Sequence, residues 1–144
     1  MRVREAMSPN VHTVTPDALL RDAARAMIEA DIGLLPVQQD DRLVGMVSDR
    51  DITVRGVAQG LGPETPVRQV MSDNVKYCYE DDDIDDVCRN MGDIQVRRLP
   101  VLNREKRLVG IVSLSDLAGN GNAKAAGAAL DAISEPGGRH TQTA

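Results

Sequence analysis

Sliding the 144-residue sequence along itself by about 64 positions sets Val3-Arg4-x-x-Met7-Ser8-x-Asn10-Val11 over Val67-Arg68-x-x-Met71-Ser72-x-Asn74-Val75. The register continues through Asp17 and Asp81, Asp22 and Asp86, Met27 and Met91, and Leu35-Pro36-Val37 and Leu99-Pro100-Val101. After one extra residue in the second copy it resumes at Leu43 and Leu108, Gly45 and Gly110, Ser48 and Ser113, and Asp51 and Asp116. Whatever one half folds into, the other half must fold into as well.

The best-matched stretch of each copy, Leu43 to Ile52 and Leu108 to Leu117, changes character in the middle. It opens as a β-branched apolar run broken by one glycine, the pattern of a buried strand. At Ser48 and Ser113 it becomes Ser-x-x-Asp followed by an apolar residue, a helix start in which serine caps free amides and the acid sits in the first turn. A strand running directly into a capped helix leaves backbone N–H groups and a positive dipole end at a sheet edge, where anions are readily held. A capping box can also do no more than stabilise its helix, by about 1 kcal/mol. Two such corners in register, placed around a pseudo-two-fold axis, make a cleft between the halves geometrically natural.

Within repeat one, Val11 to Thr15 is expected as a short strand, and Thr15-Pro16-Asp17 as the start of a helix with a threonine cap and proline in its first turn. Leu20, Ala23, Ala24, Met27 and Ile28 then fall on one helical face, as do Ile84, Val87, Cys88 and Met91 in repeat two. Ile32 to Gln38 is the next strand, Asp40-Asp41 a turn, Leu43 to Val47 the third strand, and a helix follows Ser48 to about Gln59, stopped by Gly60. Gly62-Pro63-Glu64-Thr65-Pro66 breaks the chain between copies. The last helix of repeat two is cut by Gly119-Asn120-Gly121, an Ala-rich helix is expected over 123–133, and Glu135 to Ala144 reads as a frayed tail. The expected organisation is repeat one over 1–60, a linker over 61–66, repeat two over 67–118, and a C-terminal helix and tail over 119–144.

Composition narrows the function. With no Trp or Phe, and Tyr77 and Tyr79 the sole aromatics, the core must be aliphatic and a planar ligand would be gripped by aliphatic side chains. A net charge of −5 argues against nucleic-acid binding, which needs a concentrated basic face. No apolar run approaches the roughly 20 residues of a membrane span, and the N-terminus does not resemble a signal peptide. A cytoplasmic protein with small-molecule or protein partners is expected. Cys78 and Cys88 lack metal-type spacing and read as reduced, packed thiols.

Strand-helix-strand-strand-helix, with Leu-Pro-Val in the second strand and Gly-h-h-Ser-x-x-Asp after the third, resembles the cystathionine-β-synthase (CBS) domain. Two in tandem resemble a Bateman module, here spanning Val3 to Leu117, as in stand-alone bacterial CBS-pair proteins. The resemblance implies an α/β fold of the α+β kind, two β-α-β-β-α repeats related by a pseudo-two-fold axis with a short C-terminal helix. It also implies a regulatory adenine nucleotide (AMP, ADP, ATP or NAD) between the repeats, a homodimer, and a protein target that the sequence does not name.

Carried over residue by residue, the resemblance makes Asp51 and Asp116 the ribose acceptors, since an ionised carboxylate is acceptor-only and can take both hydroxyls. Ser48, Ser113 and Ser115 become phosphate-side donors. The family's base pocket corresponds to Ser8, Asn10, Ile32, Gly33 and Leu34 with Asp116, and to Ser72, Asn74 and Val96 with Asp51. Met46 and Ile111, on the strands, line the same pockets. The corners differ, because Arg50 stands where repeat two has Ser115. Together with Arg97 and Arg98 it would suit phosphates, which guanidinium groups grip in a fork. Each arginine could equally pair with an acid such as Asp49 or Asp93.

Other candidates are weaker. The acidic run from Glu80 to Asp86 lacks the spacing and glycine of a calcium loop and reads as acids complementing a helix dipole. His12 and His140 have no companion ligands in sequence, and His12 is expected on a strand. No Ser-His-Asp or Cys-His set and no phosphate-cradling glycine loop supports catalysis. The competing reading is an interaction or dimerisation module with no physiological nucleotide.

Overall fold

The computed structural model describes residues 1–120 and 123–135. Gly121, the tail beyond Glu135 and His140 with it lie outside the described residues. The chain divides into two compact units, and their borders do not follow the copies in the sequence. One is Val11–Val75; the other joins Met1–Asn10 to the chain from Lys76 onward. The compact units therefore do not coincide with the repeats expected over 1–60 and 67–118. The segment leading each copy is built into the unit of the other copy.

Backbone hydrogen bonds show why. In the first unit, Leu20 N–H donates to Thr65 O at 2.9 Å, Arg21 N–H to Pro63 O at 3.0 Å, Val67 N–H to Ala18 O at 2.7 Å and Arg68 N–H to Pro16 O at 3.0 Å. In the second unit, Val3 N–H donates to Asp82 O at 3.0 Å, Arg4 N–H to Glu80 O at 2.9 Å and Ile84 N–H to Met1 O at 3.1 Å. Val67 and Val3, equivalent in the repeat, are each fully buried. The Pro-rich linker is thus an ordered part of the first unit rather than a spacer.

The Val11–Val75 unit contains helix α1 (Leu20–Ala30), strands β1 (Leu34–Gln39) and β2 (Arg42–Ser48), and the short helix α2 (Asp49–Asp51). β1 and β2 form an antiparallel pair through a turn at Asp40 and Asp41, whose φ angles of 53° and 61° match the left-handed conformation of a tight hairpin. The strand expected over 11–15 shrinks to a parallel bridge from Val14 to Val37. Pro16 has no N–H, whereas its counterpart Glu80 donates to Leu102 O at 2.9 Å. His12 accordingly lies outside any strand and is exposed.

Two further expectations are corrected in this unit. α1 starts at Leu20 and not near Thr15, because the backbone of Pro16 to Leu20 is bonded to the 65–68 segment. The helix after Ser48 does end at Gly60 (φ 79°), but only Asp49–Asp51 is α-helical; Ile52–Gly56 is π-helical and Val57–Gln59 is a 3-10 turn. β-Branched Ile52, Thr53, Val54 and Val57 are poor helix formers, and the Thr53 hydroxyl donates back to Asp49 O at 3.0 Å, which loosens the turn.

The second unit contains β3 (Cys78–Tyr79), α3 (Ile84–Ile94), β4 (Arg98–Leu102), β5 (Leu108–Ser113), α4 (Leu114–Asn120) and α5 (Ala123–Ile133). β3 pairs parallel with β4, and β4 antiparallel with β5. The loop after β4 folds over this edge: Arg104 Nη2 lies 2.7 Å from Asp81 Oδ1, and its guanidinium sits 4.1 Å from the Tyr79 ring centre. That guanidinium holds the Asp81 carboxyl below the usual carboxylate range. Asp83 caps α3 by accepting from Asp85 N–H at 2.9 Å, so the acidic run serves the helix start.

Each unit has its own aliphatic core. Leu20, Ala23, Met27, Leu35, Val37, Val47, Val67 and Val70 fill one. Ile84, Val87, Cys88, Met91, Leu99, Val101, Val112 and Leu117 lead the other, with Val3. The α3 stripe is buried as expected. In α1, however, Ile28 is 79% exposed.

Cys78 and Cys88 are both free thiols and buried. Burial, with Asp82 adding to it, pushes the Cys78 thiol from its ordinary value near 9 up to about 12. A raised folded-state value means the protonated thiol stabilises the fold fully below pH 9 and loses that contribution as pH rises toward 12. Stability is expected to fall above pH 9 by up to about 1.4 kcal/mol per pH unit, and Cys78→Ala to flatten that slope in urea titrations followed by circular dichroism. An unchanged alkaline slope in the variant would refute this.

Candidate functional site

Each unit carries one strand-to-helix corner, and the two are built alike. β2 ends at Ser48, whose N–H donates to Asp51 Oδ2 at 2.9 Å, while Asp51 N–H donates to Ser48 Oγ at 3.0 Å. β5 ends at Ser113, whose N–H donates to Asp116 Oδ2 at 3.0 Å, while Asp116 N–H donates to Ser113 Oγ at 3.1 Å. This reciprocal cap fixes serine and aspartate side by side where the chain turns from extended to helical. All four residues are half-buried.

Neighbouring strands complete each corner. Ser8 and Ile111 exchange backbone hydrogen bonds at 2.8 and 2.9 Å, and Ser72 and Met46 do the same at 2.8 and 2.9 Å. This brings Ser8 beside the strand that delivers Ser113 and Asp116, and Ser72 beside the strand that delivers Ser48 and Asp51. Asn10 and Asn74 continue these segments and are exposed. On the opposite strand, Asp49 N–H donates to Gly33 O and Leu114 N–H to Arg97 O, at 2.9 and 2.8 Å. Ile32, Gly33 and Leu34 therefore belong to the unit of Asp51, and Val96, Arg97 and Arg98 to that of Asp116.

A close approach makes glycine necessary before each corner. A Cβ on Gly110 would stand 2.6 Å from Met7 Sδ and 2.9 Å from Ser8 O; on Gly45 it would stand 2.8 Å from both Met71 Sδ and Ser72 O. Met7 and Met71 are thus part of the construction that holds Ser8 and Ser72 in place. The repeated Met-Ser pair was the signal for them in the sequence. Asp49 was also missed: its carboxylate lies 2.8 Å from where a Gly33 Cβ would be.

The corners differ in what they offer. In the second unit, Ser113 Oγ and Ser115 Oγ are 2.9 Å apart, two hydroxyls sharing one hydrogen bond beside Asp116. The first unit has Asp49 and Arg50 at the positions of Leu114 and Ser115, giving two carboxylates and a guanidinium. The pairing of Arg50, Arg97 or Arg98 with Asp49 or Asp93 is absent among the described residues.

The sequence profile of the CBS domain matches residues 3–55 and again 67–120. The chain belongs to the CBS-domain family, as a tandem pair. It is 39% identical over 133 residues to the CBS domain-containing protein YhcV of Bacillus subtilis, spanning 92% of this chain and 94% of that one. Among solved structures, the CBS pair is similar to that of protein MJ0100 in complex with 5-methylthioadenosine and S-adenosyl-L-methionine (TM-score 0.73, 27% identity, 82% of this chain and 93% of that one). It is also similar to CBSX2 in complex with AMP (TM-score 0.72, 26% identity, 81% and 93%). Those two CBS pairs hold adenosyl ligands, and the mixed α/β repeat expected from the sequence is the observed one.

Among the described residues no helix is long and apolar enough to cross a membrane.

Proposed function

We propose that this CBS pair is a ligand-sensing regulatory module that takes an adenine nucleotide at its Ser-x-x-Asp corners. The observation that carries the reading is the reciprocal serine–aspartate cap found in both units, which fixes a carboxylate beside a hydroxyl at a half-buried helix start. Asp116 and Asp51 are assigned to the ribose hydroxyls, Ser113 and Ser115 to the phosphate side of one corner, and Ser48 and Arg50 to that of the other. Ser8, Asn10, Ser72 and Asn74, with Ile111 and Met46, supply the base side. The adenosyl ligands held by MJ0100 and CBSX2 support this reading. AMP, ATP and NAD are the ligands to test, and a downstream protein is the intended reader of the bound state.

Thermal unfolding of the purified protein with AMP, ADP, ATP, NAD and S-adenosylmethionine tests it. A ligand at 100 times its dissociation constant adds about 2.7 kcal/mol, a rise of several degrees in the midpoint for a protein of this size. Asp116→Ala is expected to lose the ligand-induced rise at its corner, with about 1 kcal/mol of intrinsic stability lost with the cap. A variant that keeps the parent's full rise would remove Asp116 from the site. No rise with any adenylate would favour the second reading, an interaction module without a physiological nucleotide, which the exposed Ile28, Val54 and Val57 of repeat one recommend.

A further inference from the structure

Helix α5 lies beyond the residues that the CBS profile matches. The chain over 60–66, which follows repeat one, holds no helix like it. α5 packs on both α3 and α4. Its closest approach is at Gly92, where an added Cβ would lie 3.1 Å from Ala129 Cα and 3.4 Å from Ala129 Cβ. Ala126 and Ala129 are buried in one cluster with Met91 of α3 and with Leu114 and Leu117 of α4. Just past the end of α3, the Gln95 side-chain amide donates to Ala132 O at 3.0 Å.

These contacts bracket the Ser113–Asp116 corner. Gln95 leads into Val96 and Arg97, and Arg97 O accepts from Leu114 N–H at 2.8 Å, the bond that ties this segment to the start of α4. α5 therefore touches both the chain leading to that bond and the helix leaving it. The first corner has the same bond, from Asp49 N–H to Gly33 O at 2.9 Å, and the same reciprocal cap. Nothing equivalent to α5 braces it. Ile28 and Asp31 stand at the positions of Gly92 and Gln95, and both are exposed. Beyond Asp51 the backbone leaves the α-helical path; Gly56 meets Leu20 and Val70 of the core, while Val54 and Val57 stay exposed. α4, by contrast, is a regular α-helix from Leu114 to Asn120.

We propose that α5 is a splint that holds the second corner, Ser113, Ser115 and Asp116, in its ligand-ready arrangement before any ligand arrives, while the first corner is left to deform. Binding to a corner already in place loses less affinity to ordering than binding to one that must be fixed on arrival. Resting on the nucleotide reading above, the corner of Asp116 is then the tighter of the two for one and the same ligand.

Hydrogen exchange of the full chain without nucleotide, read residue by residue by NMR, tests the splint. The bonds to compare are alike in length: Leu114 N–H to Arg97 O against Asp49 N–H to Gly33 O, and Asp116 N–H to Ser113 Oγ against Asp51 N–H to Ser48 Oγ. Protection factors at Leu114 and Asp116 are expected to exceed those at Asp49 and Asp51 by about tenfold or more. Ala129→Glu, which sets a carboxylate against Gly92, is expected to abolish that difference and leave the β4–β5 ladder and the first corner unchanged. Gln95→Ala keeps the apolar contact and loses the bond to Ala132 O, so protection at Leu114 should fall about threefold. Equal protection at the two corners of the parent, or losses in the variants spread evenly over the second unit, overturns the proposal. Titration with AMP separates the splint from the nucleotide reading. Ala129→Glu is expected to weaken AMP binding at the Asp116 corner about tenfold and to leave the Asp51 corner as it was. Unchanged affinity at the Asp116 corner, in a variant whose protection there has fallen, overturns the proposal as well. If the parent binds no AMP while the difference in protection holds, the nucleotide reading fails and the splint stands.

Discussion

Replacing Gly110 by valine is expected to lower the free energy of unfolding by about 3 kcal/mol, the upper end of what overpacking usually costs. The Cβ alone would stand 2.9 Å from the carbonyl oxygen of Ser8, and backbone cannot swing aside as the thioether of Met7 can. The chain must then give up the two hydrogen bonds between Ser8 and Ile111, leaving Met1–Asn10 held on the second unit through the bonds of Met1, Val3 and Arg4 to residues 80–84. Gly45→Val should do the same in the first unit through Met71 and Ser72. Gly119→Ala is the control: a Cβ there meets nothing within 4 Å, and its helical position should welcome alanine. Urea midpoints for the three variants decide the matter. If Gly110→Val unfolds where the parent does, the close approach is wrong.

Leu35→Ala and Leu99→Ala are expected to cost about 3 kcal/mol each, within the usual range for a leucine whose cavity cannot collapse. These equivalent residues sit on β1 and β4, one at the centre of each aliphatic core, and each is at most 1% exposed. With no Phe or Trp in the chain, neither core holds a buried aromatic ring that could relax into the void. Ile28→Ala removes an aliphatic side chain of the same size from a surface position and is expected to change unfolding by less than about 0.5 kcal/mol. Similar losses for Ile28→Ala and Leu35→Ala would mean that the exposed face of α1 is covered within the same molecule.

The sequence made the repeat, the hairpin at Asp40-Asp41 and both Ser-x-x-Asp corners legible, because each depends on contacts between residues close along the chain. A serine three positions before an aspartate can cap a helix with little help from elsewhere, and Ser48 and Ser113 do so. What was not legible depends on distant segments. Thr15-Pro16-Asp17 reads as a helix start until residues 65–68 take up the backbone of 16–20. Ile28 reads as the last member of an apolar stripe, and only the packing of Leu20, Ala23 and Met27 turns it outward. The exchange of leading segments escapes any reading that equates a repeated sequence with a folded unit. Val3 and Val67 match each other in sequence, and each is buried in the core of the other copy.

That exchange has an order in time. A polypeptide leaves the ribosome from its N-terminus at roughly 5–20 residues per second, and its parts fold as they become complete. Val11–Val75 is one uninterrupted stretch and has all of its own core once Val75 has emerged. Met1–Asn10 emerges earlier still, yet β5, whose Ile111 exchanges hydrogen bonds with Ser8, is among the later parts to appear. The segment carrying Val3, Met7 and Ser8 is therefore held in waiting, apolar side chains and all, while the unit behind it closes.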